Sequence, residues 1–187
     1  MKNISFISPF CDLLKTFTST SILDRASKKG IVNYSYLDLF SFSDDPHNRI
    51  DDYPYGGGEG MILKAQPIFS AYESIAKNNI EPRVIYPTPD GEKLSMDLSL
   101  ELSKENDIIF ICGHYKGIDQ RVRDEIVTDE ISIGDYVLTG GELPACVIAD
   151  SIIRLIPGVI NNIESARTDS FYEDLLDCAH YTRPDVF

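Results

Sequence analysis

Ile108-Ile-Phe-Ile-Cys-Gly-His-Tyr115 is the stretch on which the fold class turns. The apolar run Ile108 to Cys112 is too short for a helix and fits a buried strand, and Gly113 then breaks it with a turn. The same grammar recurs along the chain. Asn3 to Ile7, Val32 to Leu37, Arg83 to Tyr86 and Glu130 to Ile133 are short and rich in Ile, Val, Phe or Tyr. Helix-like stretches at Pro67 to Lys77, Leu98 to Lys104, Ile118 to Glu125 and Glu142 to Leu155 lie among them. This order predicts an α/β fold, a mostly parallel sheet with flanking helices.

The strand ends carry the next inference. Tyr86-Pro-Thr-Pro89, Cys112-Gly-His-Tyr115 and Ser132-Ile-Gly-Asp-Tyr-Val-Leu138 each leave a strand through Gly or Pro. In a parallel sheet those turns share the carboxyl edge, where open α/β sheets bind ligands. The last helix sets Leu143, Val147, Ile148, Ile152 and Leu155 close to one face and stops at Pro157-Gly158, so it reads as a core or interface helix. Ser41 to Gly60 is dense in Asp, Pro and Gly and reads as a long, functional loop. Asn161 to Ser170 is polar without periodicity, as in a linker or lid.

The 187 residues carry a net charge of -13, which by itself argues against nucleic acid and for a small-molecule enzyme. No apolar run approaches bilayer length and no leader-like segment opens the chain, so a cytoplasmic protein away from membranes is expected. Cys11, Cys112, Cys146 and Cys178 form no CxxC, and His47, His114 and His180 show no zinc-ligand pattern with them. Free thiols and no metal site are expected.

Tyr55-Gly-Gly-Gly-Glu-Gly-Met61 lacks the Lys-Ser/Thr of a phosphate-binding loop, and Thr139-Gly-Gly-Glu142 is too short for GxGxxG. Taken alone, either glycine cluster is as readily a tight turn as a binding loop. The absence of GxGxxG after the first strand also counts against a nicotinamide-dependent oxidoreductase.

Taken together these runs are specific. Tyr55 to Met61, Gly113-His-Tyr-Lys-Gly-Ile-Asp119, Ile133-Gly-Asp-Tyr-Val-Leu-Thr-Gly-Gly-Glu-Leu-Pro144, Arg154-Leu-Ile-Pro-Gly158, Asp169-Ser-Phe171 and His180-Tyr-Thr-Arg-Pro184 resemble successive signatures of the bacterial tRNA (guanine-N1)-methyltransferases, in that family's order. The resemblance spans essentially the whole chain. It implies a SPOUT fold with a deep trefoil knot at the cofactor site, a homodimer whose subunits share active sites, S-adenosyl-L-methionine as methyl donor and tRNA as substrate. It divides the chain into a catalytic domain, residues 1–160, and residues 161–187, a linker or lid leading toward a C-terminal domain otherwise absent.

Carried over position by position, the resemblance assigns Tyr86, Pro89, Gly113, Tyr115, Ser132, Ile133, Gly134, Tyr136, Leu138, Gly140, Gly141 and Pro144 to the cofactor pocket. Val137 is instead expected in the core. Glu59 and Gly60 are assigned to the substrate, Glu59 standing where the family more often has proline. Asp169 matches the general base that removes the N1 proton of guanine, and Arg154 matches the group that stabilises charge on O6. From residue type alone, Asp169 reads rather as a solvated or helix-capping carboxylate, and Arg154 as a helix-end cation or the partner of a carboxylate. Lys116 replaces a glutamate linked in the family to magnesium, and a protonated lysine cannot bind that ion, so metal use is left open. The alternative reading is a cofactor-binding dimeric module with little or no tRNA methylation.

Overall fold

The computed structural model describes residues 1–76, 81–160, 170–171, 177–184 and 186–187. Five strands, β1 (Lys2–Ser8), β2 (Val32–Asp38), β5 (Arg83–Lys93), β6 (Asp107–Ile111) and β7 (Asp129–Ser132), form one parallel sheet in the order β2-β1-β6-β5-β7. A separate two-stranded ribbon pairs β3 (Asp51–Asp52) with β4 (Ile62–Leu63). The helices are α1 (Cys11–Thr18), α2 (Ser21–Lys28), α3 (Ala65–Ile75), α4 (Met96–Leu102), α5 (Gln120–Ile126) and α6 (Glu142–Ile153).

Each central strand is apolar on both sides, and alternate residues divide between two cores. Ile4, Phe6, Ile85, Ile108 and Phe110 face α1, α2, α4 and α6, and Phe6 stacks on Phe110 at 5.2 Å and on Tyr36 at 5.9 Å. Ile7, Val84, Tyr86, Ile109 and Ile111 face α3 and α5. Such burial on both faces explains why these strands read as continuous apolar runs rather than alternating ones.

Handedness decides which helix covers which face. The connections β1 to β2 and β5 to β6 both step toward the β2 edge, and their helices α1, α2 and α4 join the first core. The connections β2 to β5 and β6 to β7 step the other way, and α3 and α5 join the second. A right-handed crossover requires this reversal. Consequently the chain leaves β5 and β6 toward opposite faces, and a crevice opens at their carboxyl ends beside β7.

The expected strands and helices are present, with shifted bounds, and there are four differences. Helices α1 and α2 did not stand out in the sequence: each has eight residues, and the buried positions of α1 include the polar Thr18. Strand β5 runs past its prolines, bulging over Thr88–Gly91 before Glu92 rejoins Ile131 of β7. The loop expected from Ser41 to Gly60 contains β3, and its first two residues belong to a 3-10 turn at Leu39–Phe42. In α6, Ile148 and Ile152 are buried while Leu143 and Val147 are exposed, so the expected single apolar face is in fact two. The helix serves the core with one and offers the other outward.

Gly91 is where the bulge closes on its neighbour. A Cβ there would stand 2.4 Å from the carbonyl carbon of Glu130 and 2.6 Å from the nitrogen of Ile131, both backbone atoms that cannot rotate away. Gly91→Ala therefore has to part β5 from β7. It is expected to cost about 1–3 kcal/mol, as overpacking does, seen as a thermal midpoint several degrees lower; an unchanged midpoint would contradict the tight β5–β7 join.

Candidate active site at the ends of β5, β6 and β7

The crevice holds a cavity of about 540 Å³. Its walls are the turn after β5 (Tyr86 to Pro89), the turn after β6 (Gly113 to Gly117) and the segment from the end of β7 to the start of α6 (Ile131 to Gly134, Tyr136 to Gly141, Pro144), with Gly60 and Met61 at one side. Every residue assigned to the cofactor pocket from the sequence lies on this wall: Tyr86, Pro89, Gly113, Tyr115, Ser132, Ile133, Gly134, Tyr136, Leu138, Gly140, Gly141 and Pro144.

The backbone geometry explains the glycines that matter most. Gly141 donates its N–H to the Gly113 carbonyl at 2.8 Å, and His114 pairs with Gly140 in an isolated antiparallel bridge. A Cβ on Gly141 would meet Gly113 N at 2.8 Å and Cys112 Cα at 2.9 Å, so only glycine lets the two main chains touch. Gly113 lies equally close to the Tyr86 ring, whose Cε2 would be 2.9 Å from a Cβ. Tyr86 is buried, and the Arg123 guanidinium sits 5.5 Å from its ring centroid. Burial pushes the phenol up, outweighing the nearby charge of Arg123, so the hydroxyl keeps its proton.

The glycine-rich loop joins the site through main-chain bonds. Lys116 N–H donates to Met61 O at 3.0 Å, Leu63 N–H to Gly117 O at 3.0 Å and Asp119 N–H to Leu63 O at 3.0 Å. This short parallel lacing draws Gly60 to the cavity wall. Glu59 next to it is exposed and off the wall, so of the two expected substrate residues only Gly60 borders the cavity. The Lys116 side chain arches over Gly60, where a Cβ would come within 2.9 Å of its Cγ.

Other placements depart from expectation. Val137 lines the cavity and is 82% exposed, because the segment after Gly134 runs outside the sheet; it is not a core residue. Arg154 is the C-cap of α6 and lies off the cavity wall; its charge draws the Asp150 carboxyl pKa down, although burial, the stronger influence, leaves it raised. Asp169 lies outside the described residues. His114, between two assigned residues in the Gly113-His-Tyr115 turn, was passed over; its position inside the motif was the available signal.

Cys11, Cys112 and Cys146 are buried and Cys178 exposed, all as free thiols. Burial raises Cys11 to about 11 and Cys146 to about 12, so neither is a nucleophile at neutral pH. Although the histidines and cysteines show no zinc-ligand spacing, Asp177, Cys178 and His180 bring donor atoms within 4.8 Å of one another. All three are exposed, and Asp177 is already bonded to His180 at 2.9 Å.

The wall suits an adenosine-like ligand. It is largely apolar, with main-chain groups brought near by Gly113, Gly134, Gly140 and Gly141. It does not suit magnesium: the described wall has no carboxylate, and Lys116 adds a cation.

Comparison with known proteins places this geometry. The family model described as tRNA (Guanine-1)-methyltransferase TrmD matches residues 1–187. A tRNA (guanine-N(1)-)-methyltransferase of Shouchella clausii is 52% identical over 98% of this chain and 75% of its own length. The Bacillus subtilis protein of that name is 48% identical over 97% of this chain and 75% of its length. The crystal structure of tRNA (m1G37) methyltransferase from Aquifex aeolicus superposes with a TM-score of 0.84 at 36% identity, covering 100% of this chain and 78% of that one. On the family match over its whole length and the similarity of its fold, the chain belongs to the tRNA (guanine-1)-methyltransferase family.

Proposed function

We propose that the protein transfers a methyl group from S-adenosyl-L-methionine to N1 of the guanosine 3′ of the anticodon in tRNA. The observation that carries this reading is the convergence of the residues assigned to the cofactor on one cavity at the carboxyl ends of β5, β6 and β7. When bound, the cofactor supplies an electrophilic methyl on a sulfonium. The wall's apolar side chains would exclude water from that centre, and Gly113, Gly140 and Gly141 would let main-chain groups reach the nucleoside. The knotted course of a SPOUT chain through this region is part of the same reading.

The nucleophile needs help, because N1 of guanine is protonated at neutral pH. Asp169 is the proposed base, and Arg154 the proposed partner of the charge that develops on O6. Arg154 also bears on assembly. Pro144 is on the cavity wall and Arg154 ends the same helix; at 1.5 Å per residue they are about 15 Å apart along its axis. A side chain cannot span that within one subunit and still reach a base in the cavity. The shared site of a homodimer resolves the distance, since the Arg154 of a second copy can approach from outside. Exposed Phe10 and Leu13 beside α6, with Leu143 and Val147 on its outer face, offer an apolar surface for that second copy.

Residues 1–160 form the catalytic domain in this reading, and residues 161–187 the lid or linker that carries Asp169. A tRNA substrate fits a cytoplasmic protein in this reading. Among the described residues no helix is long and apolar enough to cross a membrane. Magnesium has no role here that the residues of the wall support.

Asp169→Asn should lower methyl transfer to tRNA by at least about a hundredfold, the usual range for a lost general base, while calorimetric affinity for S-adenosyl-L-methionine stays within twofold. Cofactor binding without transfer by the unmodified protein would instead favour a cofactor-binding module. The shared site has its own test. Arg154→Ala and Leu138→Arg, the latter placing a cation at the cavity rim, should each be nearly inactive alone. Mixed so that subunits exchange, they should regain activity, because one heterodimer site pairs an intact cavity with an intact Arg154. Failure to regain any would point to a site built within one chain.

A further inference from the structure

Glu142 is the first residue of α6, yet its carboxylate is turned inward and the side chain is only 6% exposed. Ser8 Oγ, at the end of β1, donates to its Oε1 at 2.6 Å, and His114 Nε2 lies 2.7 Å from its Oε2. Ser8 Oγ in turn accepts the Phe10 N–H at 2.9 Å. A carboxylate at this depth is tolerable only with such partners, and the start of α6 adds the favourable end of a helix dipole. Cys112 and Cys146 stand close by, their thiols pushed up first by burial and then by this negative charge.

Simple packing does not require a carboxylate here. An apolar side chain of similar size would fill the space without the cost of burying charge. What the carboxylate does is join three pieces of chain: β1, the turn after β6 and the start of α6. The last two are walls of the cavity. His114, the group it holds, stands over Gly140, where a Cβ would lie 2.2 Å from the ring's Cε1, and meets Phe10 edge-on at 4.9 Å. Directly after it, Tyr115 occupies the left-handed region at φ 59°, a conformation that costs a non-glycine residue free energy and persists only where its neighbours enforce it.

We propose that Glu142 is a positioning residue of the cofactor cavity: by gripping His114 it holds the Gly113-His114-Tyr115 turn against Gly140 and so sets the gap into which the cofactor fits. The inference rests on the reading of this cavity as the S-adenosyl-L-methionine site. Glu142 touches neither substrate nor cofactor in this account, and it acts through His114. The grip is geometric, so its loss is felt in binding rather than in the chemical step.

The test is calorimetric titration of the full chain with S-adenosyl-L-methionine, together with methyl-transfer kinetics at varied cofactor. It uses Glu142→Ala, Glu142→Gln, His114→Ala and the Glu142→Ala/His114→Ala double variant. Each alanine variant should weaken cofactor binding and raise the cofactor KM by about tenfold, the size expected for a lost hydrogen bond to a charged group. Their kcat at saturating cofactor should stay within about threefold. The double variant should lose no more than the worse single, since both remove one interaction. Glu142→Gln, which can still accept from Ser8 and donate to a neutral imidazole, should recover most of the affinity. Ile152→Val, a buried change on the same helix away from the cavity, should lower the thermal midpoint and leave affinity alone. Unchanged affinity in a folded Glu142→Ala, additive losses in the double variant, or an equal loss in Ile152→Val would overturn the proposal. Should Glu142→Ala fail to fold, His114→Ala carries the same comparison. No binding by the unmodified protein would overturn the cofactor reading itself, a result distinct from binding that the variants leave unaltered.

Discussion

Gly141 rests on the backbone of Cys112 and Gly113 so closely that hydrogen is the largest substituent it can carry, and its N–H closes a 2.8 Å bond to the Gly113 carbonyl. Most of the site is organised by that contact. It brings the turn leaving β6 against the segment leaving β7, although β5 stands between those strands in the sheet. With the two segments laced, the space at the end of β5 becomes an enclosed wall rather than an open edge. The helix α6 begins at that contact, which fixes where its outer face and Arg154 come to lie.

Charge is distributed by the same economy. The edge strand β7 presents Asp129 and Glu130, and two arginines are committed to them. Arg83 binds Asp129 and reaches Glu101 at 2.9 Å, while Arg123 bonds Glu130 at 2.6 Å and Asp90 at 2.9 Å. Asp129 illustrates the balance: burial pushes its carboxyl up, but the bonds from Arg83 and Thr128 outweigh this and hold it below the ordinary range. Its contribution to stability is therefore present above the usual carboxylate pKa and fades as the pH falls through the lowered value. Cations so engaged are not offered to a polyanion. With a net charge of -13, affinity for tRNA has to be built locally against an unfavourable overall field.

Much of this was legible from sequence where one physical cause dominated. Strands buried on both faces announce themselves as apolar runs, and Ile108 to Cys112 did so most clearly. The cavity wall was legible because its backbone contacts demand glycine at particular positions, and those glycines lie within segments resembling a known family. Helices α1 and α2 were hidden by shortness and by polar residues in buried places: Thr18 is buried because its hydroxyl bonds the Leu14 carbonyl one turn back. The extension of β5 was hidden by Pro87 and Pro89, which normally end a strand but here sit where the strand leaves the ladder. Val137 was misplaced because an apolar residue beside Tyr136 and Leu138 looks like core, and nothing local says that the chain has left the sheet at Gly134.

Glu142 shows the limit of local reading most sharply. An acid in the first turn of a helix has a sufficient explanation in the helix dipole, and such residues usually face water. Its burial is a consequence of tertiary geometry: Gly140 has no side chain to stand between it and His114, Gly141 lets its segment close on Cys112 and Gly113, and Ser8 arrives from a strand far away in sequence. The two glycines and the buried carboxylate are thus one device. The glycines let the cavity walls meet, and the charge between them makes any slippage of those walls expose an unpaired carboxylate. A hydrophobic contact would tolerate such sliding; a carboxylate held between Ser8 and His114 does not.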